Sequence, residues 1–363
     1  MADEYGYNLF QQIYCLSMAT GIVSNKKGSE KALQDAMIEC LDQALLGLSG
    51  DWALSWGPRV YKEKNKDSDE GGPDNVWFAA IDHNQKVCVL AIAGTADGSW
   101  ADIWQDFDVH EVVDFNAWVN LWSPNEIPEP QASNPAEIED LTRPYCAKGT
   151  CIGVWNVLSN FSTAASQGTR IDQYLSSLDP SYTVVVTGHS LGGALAPTVA
   201  LGLSKSKLGS PPIMKVLPSA GVSPGNERFA NDYTALFPKN PESGQDYQVY
   251  NTDYYNHADI VPQAWSTNPD HDRNLHNILD IMLRIGDSLR REVEAIVKLA
   301  IFQSESSRIR YTPLPGQSFS GAELPAYINS WDELKTYHSN QHVLVYWDRM
   351  GITKFMKQFE DTF

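Results

Sequence analysis

The sequence predicts an α/β protein with a central, mostly parallel sheet flanked by helices and interrupted by helical and irregular insertions. Two observations support this prediction. Runs of β-branched and apolar residues of strand length alternate with amphipathic runs of helix length. The chain has 363 residues, 42% of them hydrophobic, which is enough for one large core. We therefore expect a single domain over residues 1–363.

The first 50 residues are predicted to be helical. In "ALQDAMIECLDQALLGL" apolar residues recur at steps of three and four positions. After a polar loop, "VWFAAIDHNQKVCVLAIAGT" contains two strand-like runs around "HNQK", a pattern typical of a hairpin. The second run is apolar almost throughout, which indicates a buried central strand.

Residues 107–147 are predicted to be an irregular insertion with one short helix at "FNAWVNLW". This stretch combines Trp118 and Trp122 with several prolines and many acidic residues. The two tryptophans either pack onto the body of the protein or cover an apolar substrate site as a lid. We favour the lid, because an apolar substrate must be shielded from water, and this makes both tryptophans predicted substrate-binding residues.

A second, helical insertion is predicted over residues 268–325. Within it, "LHNILDIMLRIGDSLRREVEAIVKLAIF" carries an apolar stripe that predicts one long amphipathic helix. The simplest role of such a helix is packing against the core.

The net charge of -18 disfavours nucleic acid as a partner, because basic surfaces supply that affinity. The five cysteines match no zinc pattern, and no P-loop or dinucleotide motif is present, so neither a metal nor a cofactor is expected. Cys146 and Cys151 allow a short-loop disulfide, although we favour reduced thiols.

No secretory signal is visible, and no apolar run is long enough to cross a membrane. A cytoplasmic protein is expected if Met1 is the native start, and a secreted one if a signal was removed upstream. A transient contact with a lipid interface remains open.

The most informative stretch is "SYTVVVTGHSLGGALAPTVALGLSK", in which a strand, a glycine-rich corner and a helix follow one another. A hydrolytic serine must be exposed, rigid and close to donors for a developing oxyanion. A sharp strand-to-helix turn meets these needs and places the next backbone N–H at a helix N-terminus. Gly188 and Gly192 leave room for the backbone around Ser190, which is therefore the predicted nucleophile.

This corner resembles that of the fungal-type class 3 lipases, a family of α/β hydrolases. Further segments resemble the family in the same order, namely "VLAIAGT", "KGTCIGVW", "AGVSPGNERFA" and "NHADIVPQAW". The resemblance covers roughly residues 75–350 and implies the α/β-hydrolase fold. In many members an arginine precedes the glycine of "AGT", whereas this chain has Ala93.

The nucleophile needs a base, and the base needs an orienting acid, in the chain order Ser, Asp, His for this fold. The resemblance favours Asp259 over the nearby Asp253 as the acid. It favours His342 over His338 as the base, because the family's histidine lies near the C-terminus before an aromatic residue.

The oxyanion donors would be the backbone N–H groups of Thr95 and Leu191. The chain is thus expected to cleave carboxylic esters through an acyl-enzyme, acting as a lipase or esterase on acylglycerol-like or other apolar esters. A phospholipase and a feruloyl-type esterase remain open. The alternative function is that of a catalytically silent, lipase-like protein that binds or signals.

Overall fold

The computed structural model describes residues 6–94, 108–209, 211, 213–242, 244–282, 285–321 and 327–362. Within these residues the strands are β1 (Trp52–Tyr61), β2 (Asn75–Asp82), β3 (Val87–Ile92), β4 (Val112–Asp114), β5 (Tyr145–Ala147), β6 (Thr183–His189), β7 (Ile213–Ser219), β8 (Gly225–Asn226), β9 (Asn240–Pro241), β10 (Val249–Tyr250), β11 (Asp253–Asn256), β12 (Tyr311–Thr312) and β13 (Gly316–Phe319).

The α-helices are α1 (Leu9–Ala19), α2 (Glu30–Gly47), α3 (Phe115–Val119), α4 (Lys148–Ser159), α5 (Ile171–Ser177), α6 (Leu191–Lys205), α7 (Glu227–Leu236), α8 (Asn277–Ile281), α9 (Asp287–Ser306), α10 (Trp331–Ser339), α11 (Val345–Met350) and α12 (Thr353–Met356). Short 3-10 turns lie at Pro135–Glu137, Val261–Gln263 and Lys357–Thr362, and a π-helical turn lies at Asn340–Leu344.

A seven-stranded sheet with the order β1-β2-β3-β6-β7-β11-β13 organises the molecule. The hairpin predicted from "HNQK" is confirmed, because β2 and β3 pair antiparallel. From β3 onward the neighbours pair in parallel, so the mostly parallel sheet is also confirmed. The carboxyl ends of β3, β6 and β11 therefore lie along one edge, where ligands of α/β proteins bind.

Both faces of the sheet are buried. Alternate residues of a strand point to opposite faces, so each strand contributes to both cores. In β3, Val89 and Ala91 pack with the N-terminal helices and the C-terminal helices α11 and α12. Cys88 and Leu90 point to the other face and pack with α4, α5 and α6. This arrangement explains the near-continuous apolar sequence of the central strands and accounts for the helices on either side.

The two predicted insertions differ from expectation in their details. The described part of the first insertion, from residue 108, contains β4 and β5, which join β8 and β12 in a separate four-stranded sheet, and the predicted short helix is α3. For the second insertion, the prediction of a single long helix is wrong. Gly286 caps the start of α9 in an extended conformation, so α8 and α9 are separate helices. Moreover, β13 of this insertion is an edge strand of the main sheet.

All five cysteines are free thiols in the structure. Among the described residues, no helix has the length and apolar character needed to span a membrane.

Candidate active site

Ser190 lies at the corner between β6 and α6, as the sequence predicts. Its backbone torsions are φ 60° and ψ -125°, a combination that side-chain-bearing residues rarely adopt. Such strain costs on the order of 1–3 kcal/mol and is kept where the surrounding structure enforces it. The corner thereby turns the half-buried Ser190 side chain out of the sheet, between a buried strand and a buried helix.

The surrounding backbone explains the glycines of the corner. A Cβ on Gly188 would collide with the carbonyl group of Gly192, and one on Gly192 would collide with the carbonyl oxygen of Ile92 at the end of β3. Gly94 lies similarly close to the corner, because a Cβ on Gly94 would lie 3.0 Å from the Cβ of Ser190. The corner and the end of β3 are thus packed backbone against backbone, and this contact leaves no space for side chains.

Asp259 and His342 are brought together from positions 83 residues apart. The Nδ1 atom of His342 lies 2.7 Å from Oδ2 of Asp259, a charge-assisted hydrogen bond in a site where Asp259 is fully buried. The other carboxylate oxygen of Asp259 accepts a hydrogen bond from the backbone N–H of Val261 at 3.0 Å. The Val-Pro step of the acid loop thus fixes the carboxylate through a 3-10 turn.

A tyrosine and an asparagine complete this network. The hydroxyl of Tyr346 donates to Oδ2 of Asp259 at 3.0 Å and accepts from the backbone N–H of Asn256 at 2.9 Å. The amide of Asn256 donates to the backbone carbonyl and the side chain of Gln341 at 3.0 and 2.7 Å. Gln341 and His342 belong to the π-helical turn, a distortion often found at functional sites.

The sequence interpretation gave Tyr346 and Asn256 no role. The four-residue spacing of His342 and Tyr346, which places both on one face of a helix, is the signal that points to Tyr346.

Two further imidazole rings, those of His338 and His189, lie against the ring of His342. His338 lies nearly parallel to it, with ring centroids 5.4 Å apart and an interplanar angle of 11°. His189 lies 4.6 Å away, and its Nε2 donates to the backbone carbonyl of His342 at 2.7 Å. The Nδ1 of His189 then accepts from the hydroxyl of Ser219 at 3.0 Å. His189 therefore braces the backbone of the segment that carries His342.

Burial sets the protonation of this group. Loss of water lowers the pKa of His342, because the charged imidazolium is poorly solvated inside the protein. The same cause lowers the pKa of His189 and of His338, so all three rings are neutral near pH 7. Burial raises the pKa of Asp259, while the hydrogen bonds from Val261 and Tyr346 oppose that rise. A neutral His342 is the form that can accept a proton.

The rival residues have other partners. Asp253 forms a buried ion pair with Arg273, at 2.5 Å, and accepts a hydrogen bond from the backbone N–H of Gly221. The two other histidines that follow Asp259 in the chain also have partners: His271 contacts the hydroxyl of Ser266, and the exposed His276 contacts a backbone carbonyl. In this structure Asp259 is paired with His342, whereas His338 lies against the ring of His342.

The predicted oxyanion donors can be located only in part. Leu191 is the first residue of α6, so its backbone N–H has no partner within the helix. A Cβ on Gly94 would lie 3.6 Å from this nitrogen, so β3 ends directly beside it. Thr95 lies outside the described residues, and its part in an oxyanion hole stays a prediction.

A cavity of about 170 Å³ opens beside Ser190 and His342. The N-terminal helix supplies one wall through Ser17 and Met18, and the C-terminal segment supplies another through Val343 and Trp347. Sequence reasoning missed both walls, because no local pattern shows that the two chain ends meet at this cavity. The described cavity lining is largely apolar, with a few polar groups, which is typical of sites for small organic ligands.

Trp118 and Trp122 do not form the described wall of this cavity, and their assignment as substrate-binding residues is corrected. Both are buried in the core, where their rings meet edge to face at 4.9 Å. The ring of Trp122 packs on Gly202, near the C-terminal end of α6. Twelve residues of helix separate Gly202 from Ser190, about 18 Å along the axis. The tryptophans pack onto the body of the protein because this burial removes their large apolar surface from water.

Among the described residues, no group of three histidine, cysteine, aspartate or glutamate side chains is arranged to hold a metal ion.

Comparisons with known proteins agree with this architecture. Residues 146–268, which include Ser190 and Asp259, match the family model described as lipase (class 3). This match confirms the resemblance to the class 3 lipases that the sequence motifs indicate. No curated protein sequence matches the chain at a significant level.

The chain is also similar to the crystal structure of M37 lipase, with a TM-score of 0.70 and 21% sequence identity over 95% of this chain and 93% of that one. This similarity supports the α/β-hydrolase fold. The chain resembles Lip2 lipase from Yarrowia lipolytica less closely, with a TM-score of 0.40 and 22% identity over 72% of this chain and 74% of that one. The family match supports ester hydrolysis of the lipase type.

Proposed function

We propose that the protein is a serine hydrolase that cleaves carboxylic esters with Ser190 as nucleophile, His342 as general base and Asp259 as the orienting acid. The observation that carries this proposal is the 2.7 Å contact between His342 and Asp259 at a cavity that also contains the strained Ser190. This combination supports acyl transfer, which requires a nucleophile, a base and an orienting acid.

The reaction follows from these roles. The Oγ of Ser190 attacks the acyl carbon while its proton moves to Nε2 of His342, the ring nitrogen that Asp259 does not engage. Asp259 stabilises the imidazolium that results. The tetrahedral intermediate places its negative oxygen near the backbone N–H of Leu191, and Thr95 is the predicted second donor. The C–O bond then breaks, and the alcohol leaves with the proton from His342.

Hydrolysis of the acyl-enzyme repeats these steps with water as the nucleophile. His342 takes a proton from the water, and the hydroxyl attacks the acyl carbon. Ser190 leaves as the second product forms and regains its proton from His342. The cycle balances without a metal or cofactor, so none is invoked.

The substrate class is inferred from the cavity. Met18, Val76, Val343 and Trp347 give it apolar surface suited to the acyl chain of an ester. We therefore favour acylglycerol-like or other apolar esters over glycerophospholipids and aromatic feruloyl esters. Hydrolysis rates on esters of increasing chain length, with and without a lipid interface, separate these classes.

Labelling with a fluorophosphonate probe tests the proposal, because such probes bond only to an activated serine. The wild type should be labelled stoichiometrically, and Ser190→Ala should not be labelled. Ser223→Ala is a matched control, since it removes another buried serine hydroxyl outside the described cavity lining. A folded wild type that fails to react would instead indicate a silent, lipase-like binding protein.

A further inference from the structure

Two residues that line the cavity beside Ser190 each have a buried polar atom without a hydrogen-bond partner among the described residues. These atoms are the hydroxyl oxygen of Ser17 and the amide oxygen Oδ1 of Asn75, and both are buried. Ser17 is 1% exposed and Asn75 is 5% exposed, so bulk water does not solvate them. Buried polar atoms are nearly always paired, and an exception of this kind calls for a specific explanation.

The hydroxyl of Ser17 differs from those of Thr198 and Thr20. A serine or threonine inside a helix ordinarily bonds to a backbone carbonyl one turn earlier. Thr198 in α6 does so, with its hydroxyl 2.7 Å from the carbonyl oxygen of Ala194. Thr20, just after α1, bonds to the carbonyl of Ser17 at 2.7 Å. The hydroxyl of Ser17, although it lies within α1, has no such bond among the described residues.

Ser17 and Asn75 come from separate elements that meet at the same cavity. Ser17 lies near the end of α1, and Asn75 is the first residue of β2. Both line the cavity that contains Ser190 and His342, next to the apolar Met18 and Val76. The cavity therefore combines apolar surface with two unsatisfied polar atoms, and a purely hydrocarbon chain would leave those atoms unpaired.

We propose that Ser17 and Asn75 form a polar subsite that binds a hydroxyl group of the ester substrate. This inference rests on the proposed ester hydrolysis at Ser190. A substrate hydroxyl donates its hydrogen to Oδ1 of Asn75 and accepts a hydrogen from the hydroxyl of Ser17, so both buried groups become paired. The preferred substrates are thus apolar esters that carry one additional hydroxyl group.

The hydroxyl can belong to either half of the ester, and three matched substrates distinguish the halves. Ethyl hexanoate has no additional hydroxyl, ethyl 6-hydroxyhexanoate has one on the acyl side, and 2-hydroxyethyl hexanoate has one on the alcohol side. The kcat/KM of the wild type should be about tenfold higher for one hydroxylated ester than for ethyl hexanoate, because a site built for a hydroxyl discriminates against its absence.

Two variants assign this preference to the subsite. Ser17→Ala should reduce the preference, measured as the ratio of kcat/KM for the hydroxylated ester to kcat/KM for ethyl hexanoate, to near unity. Ser223→Ala removes a hydroxyl that is equally buried and unpaired but lies outside the described cavity lining, and it should keep the preference. Asn75→Leu should act as Ser17→Ala does.

The results separate the two proposals. If the wild type hydrolyses ethyl hexanoate but neither hydroxylated ester is preferred, the subsite is wrong and ester hydrolysis stands. A preference that survives Ser17→Ala also overturns the subsite. If no ester is hydrolysed and Ser190 is not labelled by a fluorophosphonate, the proposed function itself fails, and the subsite that rests on it falls with it.

Discussion

Ser190 and His342 are held at the same cavity by different means. At the corner formed by residues 188–193, main-chain atoms pack against main-chain atoms, and the backbone of Ser190 is strained. His342 instead depends on a network of side-chain hydrogen bonds with Asp259 and on its neighbours Tyr346 and Asn256. The nucleophile is thus fixed by its backbone, and the base is fixed by its partners.

This difference predicts distinct sensitivities. The corner should not tolerate even one added carbon atom, whereas the network around His342 should tolerate changes at its edge and fail only when His342 or Asp259 is altered.

The largest effect is expected at the base. His342→Ala should lower kcat by nearly as much as loss of the nucleophile, on the order of 10⁶-fold, because an unassisted serine is a weak nucleophile. The loss of kcat in His338→Ala should be small. His338 stacks on the ring of His342, and no described hydrogen bond joins it to the carboxylate of Asp259. Steady-state kinetics on a p-nitrophenyl ester measures both. Reversed results would transfer the base role to His338.

A smaller loss is expected at the acid. Asp259→Asn keeps the shape of the side chain, but its amide can donate to His342 and favour the wrong tautomer. The kcat should fall by about 10⁴-fold while the protein stays folded. Asp253→Asn tests the rival acid, and because Asp253 is paired with Arg273, its effect should appear in thermal stability rather than in kcat of the folded fraction. A normal kcat for Asp259→Asn would contradict the network.

Much of this contrast follows from how far apart in the chain the interacting residues lie. The Ser190 corner could be predicted because strand, turn and helix are contiguous in "VVVTGHSLGGALAP". The pairing of Asp259 with His342 followed from chain order and family resemblance. The four-residue spacing of His342 and Tyr346 points to the support from Tyr346, whereas no local pattern indicates the support from His189.

Other parts of the fold could not be predicted for related reasons. A tryptophan among prolines and acids has the same composition whether it covers a substrate or packs on Gly202, so Trp122 was misassigned. The apolar periodicity continues past Gly286, which concealed the break between α8 and α9. That α1 reaches the cavity is a long-range contact with no local signal.

The rigidity of the corner can be tested with a single methyl group. Gly192→Ala should destabilise the protein by about 1–3 kcal/mol, because the new Cβ would overlap the carbonyl of Ile92 in a central strand that cannot move freely. Gly28→Ala is the matched control, since its nearest neighbour would be 3.5 Å away, an ordinary contact. Urea denaturation measures both. A Gly192→Ala protein of wild-type stability would show that the corner is not tightly packed.

The smallest effect concerns acid stability at the edge of the histidine group. Burial lowers the pKa of His338 to about 4, so below about pH 6.5 the unfolded chain takes up a proton that the folded protein does not. Folding stability is therefore lost as the pH falls from 6.5 towards 4. His338→Phe should reduce the loss between pH 7.5 and 5.5 by about 1 kcal/mol.

Urea denaturation at the two pH values measures this difference. His276→Gln, at an exposed histidine outside the group, serves as the control variant. An unchanged pH dependence in His338→Phe would show that His338 titrates alike in the folded and unfolded states.

The most direct test of the account is whether Ser190 and His342 act as one unit. We predict that the double variant Ser190→Ala/His342→Ala hydrolyses an ester no more slowly than the worse of the two single variants, because either substitution alone abolishes the shared proton transfer. Circular dichroism confirms that each variant is folded. Losses that multiply in the double variant would show that the two side chains contribute independently and would contradict a common catalytic centre.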